Sequence, residues 1–347
     1  FNPLLNCKAT GLSLSETVGL IAQSLNLYHG EGYGRGFFGA ACKALLQSAY
    51  KASFTFGGVG SNRPPIESFN QLEEILRETA SDPRVFQAAQ QLLYVVAALT
   101  EFDQINLTPG RDLDPQVLEE SIHMPRLIRD GEVAYFYLVG MVDRSSVGHI
   151  ARLVLYSTLA AAVEHRNQTG KPAGVHFFAD EAQCLVSNNV APLLEQARSY
   201  GVGCILAHQN MAQLEQADGK GLLELVLANT VIKRYHALRD PDSQKYVAAA
   251  SGRSNYYDLS WDQLKERAIN RGQIDPRFAC TGPDRVMRVG VTQRVGERIE
   301  IEELADMSRK LNQSAILVER NEGLTQLNGG LLIHADWPIA KATYQRR

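Results

Sequence analysis

The chain has 347 residues, and 45% of them are hydrophobic, which is enough for a sizeable core. Its formal net charge of −3 excludes a globally basic DNA-binding protein. The five cysteines form no C-x-x-C pair and no Cys/His cluster, which indicates reduced thiols in a cytosolic setting and argues against a zinc site. No apolar run reaches the roughly 20 residues that cross a bilayer, so Leu92–Leu99 and Leu153–Val163 are predicted to be buried helices.

The first 61 residues are predicted to be mainly helical. A helix is expected to begin near Ser13 or Ser15, with Glu16 as an acid in its first turn. The apolar residues of Phe37–Tyr50 have helical spacing, which predicts a second helix. Glycines and prolines in Phe54–Pro65 then indicate a loop.

Residues 62–130 are predicted to form an all-helical insertion, because the helical pattern is continuous over Ile66–Leu99. Helix-start signals stand at Ser68 with Gln71 (a capping box), at Asp82–Pro83 and at Asp114–Pro115. The nucleotide-binding domain inferred below would then comprise residues 1–61 and 131–347.

After Gly131, strands and helices are predicted to alternate. Four strand-like runs are Val133–Val139, Val175–Ala179, Gly203–Ala207 and Val231–His236, and helical patterns cover about 147–167, 190–200 and 222–227. Strict alternation predicts a parallel sheet with right-handed crossovers, and apolar strands predict that both sheet faces are covered. The fold class is therefore α/β. The tail adds a predicted helix over Ile301–Lys310 and a strand over Ser314–Val318.

Two adjacent carboxylates follow the apolar run at 175–179. Asp180 and Glu181 would lie at the carboxyl end of a strand, where ligands bind to open α/β sheets. An Asp there can hold Mg²⁺ directly or through water, and the neighbouring Glu can polarise the water that attacks a γ-phosphate, as in a Walker B motif. The alternative is an acidic strand end that caps the next helix.

The next helix and strand supply two further polar candidates. A parallel neighbour strand would place Gln209 at the same sheet edge as Asp180 and Glu181, where an amide can orient the γ-phosphate. Arg198 lies too far along its helix to serve that site, so the site of a neighbouring subunit in a ring is its expected target. The alternatives are a surface cation for Arg198 and a backbone-satisfying polar group for Gln209.

The sequence resembles the coupling ATPases of conjugation and type IV secretion, of the TraG/TraD kind in the FtsK–HerA superfamily. The resemblance is carried by "HFFADEAQ" (176–183), "ARSYGVGCILAHQNMAQL" (197–214), "ANTVIKRYHALRDPDSQKYVAAASG" (228–252), "IEIEELADM" (299–307) and the initial "FNPL". By family position, Asp180 and Glu181 match Walker B, Arg198 the arginine finger, and Gln209 the motif after Walker B.

The resemblance implies a RecA-like, mostly parallel sheet flanked by helices, with an inserted all-α domain. It implies ATP and Mg²⁺ as cofactors, with Asp180 as the Mg²⁺ residue and Asp180, Glu181 and Gln209 facing the nucleotide. The expected assembly is a homohexamer anchored in the bacterial inner membrane. Its expected partners are single- or double-stranded DNA, a relaxase or other transferred protein, and components of the secretion channel.

The sequence departs from this family in one respect. The motif G-x-x-x-x-G-K-[ST] is absent, because the only Gly-Lys pairs, at 170–171 and 219–220, precede Pro and Gly. In the family the Asn-Pro-Leu segment follows the P-loop helix, so the P-loop is expected upstream of Phe1; the alternative is a degenerate parent protein. The chain alone is expected to be inactive.

Two other functions remain open. One is a HerA-type DNA-processing translocase with no role in secretion. The other is a scaffold that hydrolyses nothing and recruits transfer substrates through the helical insertion. The sequence immediately before Phe1 would discriminate among the three hypotheses.

Overall fold

A computed structural model describes residues 1–27, 35–53, 65–79, 86–108, 121–138, 143–185, 196–217, 222–263, 286–307, 313–318 and 329–334. The chain is a mixed α/β protein that divides into two compact units, Phe1–Asn229 and Thr230–Arg347. The described part of the first unit is mainly helical and includes a small parallel sheet.

The first unit contains ten described α-helices and two strands. Its helices are α1 (Pro3–Ala9), α2 (Leu14–Ser24), α3 (Arg35–Ser53), α4 (Phe69–Thr79), α5 (Phe86–Thr100), α6 (Asp103–Asn106), α7 (Met124–Asp130), α8 (Arg144–Thr169), α9 (Met211–Ala217) and α10 (Leu222–Asn229). Its strands are β1 (Val175–Ala179) and β2 (Val202–Leu206), with short 3₁₀ turns at Ala182–Cys184 and Arg198–Tyr200.

Local capping explains where the first helices begin. Asn2 accepts hydrogen bonds from the amides of Leu4 and Leu5, and Pro3 occupies the first turn of α1. Ser13 and Glu16 form a reciprocal capping box at α2, which confirms the helix predicted there.

The predicted capping signal before α4 is also present. The Ser68 hydroxyl accepts from the Gln71 amide at 3.3 Å, while the Gln71 side chain accepts from the amide of Glu67, one residue before the position in an ideal box. The predicted helix starts at Asp82–Pro83 and Asp114–Pro115 lie outside the described residues, as does most of the predicted loop at 54–65.

Helix α8 is the central element of the first unit. Residues Ile150, Leu153 and Tyr156 pack into a core shared with α1 to α5, while Leu155 and Leu159 pack against the sheet. Among the described helices, α8 alone is long and apolar enough to cross a membrane, but 83% of its apolar window is buried. The burial confirms the prediction of a buried helix over Leu153–Val163.

Buried asparagines tie distant segments of this helical core together. The Asn106 side chain accepts from the Phe69 amide at 2.8 Å and donates to the carbonyls of Leu99 and Phe102. Asn2 similarly donates to two backbone carbonyls far along the chain. Because buried backbone groups need partners, these side chains satisfy groups at helix ends and in the connecting loops.

A buried cation on α8 also contacts this core. Arg152 is 7% exposed, and its Nε donates to the Ser24 carbonyl at 2.9 Å. Its Nη2 lies 3.0 Å from Nδ1 of His149, which is itself 9% exposed. Burial, and then the neighbouring Arg152 charge, lower the pKa of His149 to about 4, so the ring is neutral near pH 7.

The sheet of the first unit differs from expectation in its coverage. Strands β1 and β2 pair in parallel, as predicted, but Phe178 and Ile205 on one face are 71% and 50% exposed. The prediction that both faces are covered is therefore wrong for the described structure. Alternate residues of a strand face opposite sides of the sheet, and α8 packs against only one of the two sheet faces.

The strand predicted at Val133–Val139 does not form in the described structure. Residues 133–138 are extended but join no ladder, and Val139 lies outside the described residues. The segment keeps a two-residue alternation, with Val133 exposed and the Phe136 ring packed edge-on against Phe1 at 5.4 Å between centroids. A β-prone run becomes a strand only when a neighbouring strand supplies hydrogen bonds.

The second unit is built from antiparallel pairs. Its elements are β3 (Ile232–Tyr235), α11 (Pro241–Ala250), β4 (Arg253–Gln263), β5 (Val286–Glu297), α12 (Ile301–Met307), β6 (Gln313–Val318) and β7 (Gly329–His334). Strand β6 lies between β3 and β7, and β4 pairs with β5. Buried Val247, Leu304 and Leu317 contribute to its core.

The predicted run at Val231–His236 is thus a strand, but it pairs antiparallel with β6 and does not extend the β1–β2 sheet in the described structure. A mostly parallel sheet is therefore not found among the described strands. The alternation of strands and helices does not encode which sheet a strand joins. The predicted boundaries at 61/62 and 130/131 stay predictions.

The three hydrogen bonds of Asn106 generate a stability prediction. Asn106→Ala should lower the free energy of unfolding by about 2–4 kcal/mol, because the buried Phe69 amide loses its partner and the carbonyls of Leu99 and Phe102 each lose one of two bonds. Asn229→Ala removes one exposed hydrogen bond to the Leu225 carbonyl and should change the free energy of unfolding by less than about 0.5 kcal/mol. Urea unfolding of the two variants measures the difference, and equal effects would contradict this role.

The buried His149 generates a pH prediction. Its pKa falls from 6.5 in a model peptide to about 4 in the fold, so the unfolded chain binds the proton more readily. Its contribution to stability is therefore complete above pH 6.5 and is lost as the pH falls toward 4, by about 3 kcal/mol in total. His149→Gln should flatten the pH dependence of urea unfolding between these limits, whereas His176→Gln, at an exposed position, should leave it unchanged.

Candidate functional site

The carboxyl ends of β1 and β2 form the candidate site. Ala179 pairs with Leu206 at the end of the ladder, and the Ala207 amide donates to the Ala179 carbonyl at 2.8 Å. The Ala182 amide then donates to the Ala207 carbonyl, also at 2.8 Å. This pairing holds the residues that follow both strands beside each other.

The structure brings Glu181 and Gln209 into direct contact at this edge. Nε2 of Gln209 donates to Oε1 of Glu181 at 2.5 Å, although the residues are 28 apart in sequence. Asp180 stands next to them, and its Oδ1 accepts from the Glu181 amide at 2.9 Å. All three side chains are exposed, so they can reach a ligand from solvent.

Glu181 has an unusual backbone conformation. Its φ of 51° and ψ of 45° place it in the left-handed region, which residues other than glycine seldom occupy. Strained residues of this kind occur often at functional sites, where the surrounding structure holds them in place. The turn directs the chain from β1 into the 3₁₀ turn at Ala182–Cys184.

Gln183 is a functional candidate that the sequence reasoning missed. Its Nε2 donates to Oε2 of Glu181, so the two oxygens of this carboxylate are each held by one amide. In a regular helix, residues two apart do not face each other, so the spacing of Glu181 and Gln183 gives no signal. The left-handed turn at Glu181 makes the contact possible.

The 3₁₀ turn rests closely on α8. A Cβ added at Gly148 would lie 2.9 Å from the Cys184 carbonyl oxygen, so the two backbones meet where a side chain would not fit. In the same turn, Ala182 is almost fully buried and packs with Leu214 of α9 and Val226 of α10. Helix α8 therefore supports the segment that carries Glu181 and Gln183.

Arg198 lies at the other end of β2. It begins the 3₁₀ turn Arg198–Tyr200, which precedes Val202, whereas Gln209 follows the opposite end of the strand. The structure therefore does not bring Arg198 to Glu181. Its side chain is exposed, and most of the helix predicted over 190–200 lies outside the described residues. A role for Arg198 in a neighbouring subunit stays a prediction.

Gly201 sets the start of β2. Its φ of 79° is left-handed, and a Cβ there would lie 2.6 Å from the Pro172 Cβ and 2.9 Å from the Ala173 amide nitrogen. Glycine is the residue that tolerates both constraints. The close approach lets the Ala173 amide donate to the Tyr200 carbonyl and the Val175 amide donate to the Gly201 carbonyl, which aligns β2 with β1.

The donor set fits part of a metal–nucleotide site. Two exposed carboxylates, Asp180 and Glu181, lie beside the Gln209 amide, and Mg²⁺ prefers oxygen ligands of this kind. A phosphate chain also needs a cradle of backbone amides with a lysine. The sequence contains no G-x-x-x-x-G-K-[ST] motif to provide it, so these residues fit the metal and water side of such a site.

Structural comparison identifies the fold. The unbound monoclinic form of the bacterial conjugative coupling protein TrwBdeltaN70 matches with a TM-score of 0.59 at 9% identity, covering 94% of this chain and 68% of that chain. The plasmid coupling protein TrwB with ADP and Mg²⁺ matches with a TM-score of 0.55 at 11% identity, covering 94% and 69%. TrwB with the GTP analogue GDPNP gives 0.55 at 10% identity, with the same coverage.

A family comparison agrees with this match. Residues 174–273 match the model described as the TraM recognition site of TraD and TraG. The chain has the fold of a TraG/TraD-type conjugative coupling protein. The family match begins just before β1 and includes the candidate site of this coupling-protein fold. Comparison with curated proteins gives no match.

The close contact at Gly201 generates a prediction with a matched control. Gly201→Ala should destabilise the coupling-protein fold by more than about 2 kcal/mol, because the new Cβ meets both a strained φ and backbone atoms. Gly170→Ala has a similar φ of 71° but open space, so it should cost only about 1 kcal/mol. Thermal unfolding of both variants measures this, and equal losses would contradict the close approach.

Proposed function

We propose that the chain forms the Walker B part of a motor ATPase that moves DNA or nucleoprotein toward a conjugative type IV secretion channel. The observation that carries this proposal is the contact of Glu181 with Gln209 at the carboxyl ends of adjacent parallel strands. The coupling-protein fold supports the reaction class, because one of the similar structures holds ADP and Mg²⁺. Such a sheet edge is where ligands bind in open α/β folds.

Each site residue has a separate role in this proposal. Glu181 accepts a proton from, or orients, the attacking water, while Gln209 holds its carboxylate and faces the γ-phosphate. Asp180 binds Mg²⁺ directly or through water, and Arg198 serves the site of a neighbouring subunit in a hexamer. Bound ATP with Mg²⁺ supplies the phosphoryl group and neutralises its charge.

The upstream P-loop is part of the same proposal. Residues ahead of Phe1 would supply the phosphate cradle, and flanking helices of the fuller RecA-like domain would cover the exposed sheet face formed by Phe178 and Ile205. The mostly parallel sheet and the all-α insertion at 62–130 belong to this fuller architecture. The chain alone would then bind ATP weakly and hydrolyse none.

The proposed partners follow from the same family. They are single- or double-stranded DNA, a relaxase or other transferred protein, and components of the secretion channel at the bacterial inner membrane. The description of the match at residues 174–273 adds a TraM-like protein as a partner for that region. With a net charge of −3, the chain would contact DNA through a local surface or a ring pore.

A scaffold that recruits transfer substrates is the second candidate function. A parent protein without the motif G-x-x-x-x-G-K-[ST] would favour it, because ATP hydrolysis by this class needs that motif. A HerA-type translocase shares the motor chemistry and differs in its partners. One measurement of ATP hydrolysis distinguishes the scaffold from the motor.

The decisive variant is Glu181→Gln in the full-length protein. DNA-stimulated ATP hydrolysis should fall by about a hundredfold or more, because the amide cannot act as a base toward water. Glu302→Gln, on the exposed face of α12, removes the same charge elsewhere and should leave the rate unchanged. Phosphate release in the presence and absence of DNA measures both rates.

The other outcomes are equally informative. A folded hexamer that hydrolyses no ATP in the presence of DNA would favour the scaffold. Equal hydrolysis by the unaltered protein and Glu181→Gln would mean that Glu181 is not the catalytic carboxylate.

A further inference from the structure

We propose that Gln183 is a positioning residue that, together with Gln209, fixes the Glu181 carboxylate in the orientation needed for hydrolysis; this inference rests on the proposed function. Nε2 of Gln183 donates to Oε2 of Glu181, while Nε2 of Gln209 donates to Oε1. With both oxygens held, rotation of the carboxylate about its terminal bond breaks both hydrogen bonds. The carboxylate is thus preorganised in one plane.

The two amides differ in how firmly they are themselves held. Gln209 is exposed at the end of its strand, whereas Gln183 is only 5% exposed and lies in the 3₁₀ turn beneath the site. That turn is fixed by the backbone bond from Ala182 to the Ala207 carbonyl and by the close approach of Gly148 on α8. Gln183 is therefore the rigid member of the pair.

The surroundings of Gln183 argue against a purely structural role. Its Oε1 is buried and has no hydrogen-bond partner in the described structure. A buried acceptor without a partner costs stability, so an apolar side chain of similar length would serve the fold at least as well. What the amide provides is the hydrogen bond from Nε2 to Glu181. A group that lowers stability while serving a neighbouring carboxylate is typical of a functional site.

The backbone of Glu181 provides an independent observation. The left-handed conformation of Glu181 turns the chain sharply enough for the Gln183 side chain, two residues later, to contact the Glu181 carboxylate. A glycine would relieve this strain but carries no carboxylate. The strain and the unpaired acceptor are two separate costs within the same short turn, and both serve the position of one carboxylate.

The test uses Gln183→Met, which keeps the length of the side chain but has neither donor nor acceptor of comparable strength. In the full-length protein, kcat for DNA-stimulated ATP hydrolysis should fall by about tenfold or more, because the carboxylate loses its fixed orientation. The KM for ATP should stay within about twofold, because Gln183 is not expected to touch the nucleotide. The melting temperature should change little, because removal of the unpaired acceptor offsets the loss of the bond to Glu181.

The matched control is Gln213→Met. Gln213 also carries a buried Oε1 without a partner, and it lies on α9 of the same unit. Among the described contacts, its side chain forms no bond to Glu181. This substitution should leave kcat unchanged and should raise the melting temperature, because it removes an unpaired acceptor without the loss of a bond to Glu181.

A second measurement tests the contact without any hydrolysis. A double-mutant cycle of Gln183→Met and Glu181→Ala, read by urea unfolding of the 347-residue chain, should show coupling of about tenfold in the unfolding constant. Additive effects would overturn the contact and with it the proposal. An unchanged kcat in Gln183→Met, with Glu181→Gln inactive alongside, would also overturn it. Failure of Glu181→Gln to reduce hydrolysis would instead mark the failure of the proposed function, and the cycle would still decide the contact.

Discussion

Helix α8 packs on two layers at once, and this constraint positions most of the first unit. Its residues Ile150 and Leu153 close the core shared with the N-terminal helices, while Leu155 and Leu159 lie against the β1–β2 sheet. Gly148 lets the same helix approach the turn that follows β1. Because interiors are close-packed, a shift of α8 would move the helical core, the sheet and this turn together.

The candidate site is consequently held by backbone geometry more than by its own side chains. Parallel pairing sets the ends of β1 and β2 level, and the bonds through Ala207 extend that alignment beyond the strands. The left-handed residue Glu181 then receives an amide on each oxygen. A carboxylate held in this way pays little reorganisation cost when a charged ligand arrives, which is the condition for electrostatic catalysis.

Local and short-range features were predictable from the sequence, whereas tertiary choices were not. The capping box of Ser13 and Glu16, the apolar strand before Asp180, and the meeting of Glu181 with Gln209 follow from spacing and from the rule for parallel strands. The antiparallel pairing of β3 and the exposed sheet face depend on which segments meet in space. Gln183 was missed because its contact with Glu181 requires a left-handed backbone at residue 181, and a glutamate there does not predict that conformation.

The central claim is that this edge of the sheet faces the reacting phosphate of a bound nucleotide. The most direct measurement is a high-resolution structure of the full-length protein with a non-hydrolysable ATP analogue and Mg²⁺. The terminal phosphate should lie beside Glu181 and Gln209, with the metal within direct or water-mediated reach of Asp180. A nucleotide bound elsewhere, with this edge facing bulk solvent, would contradict it.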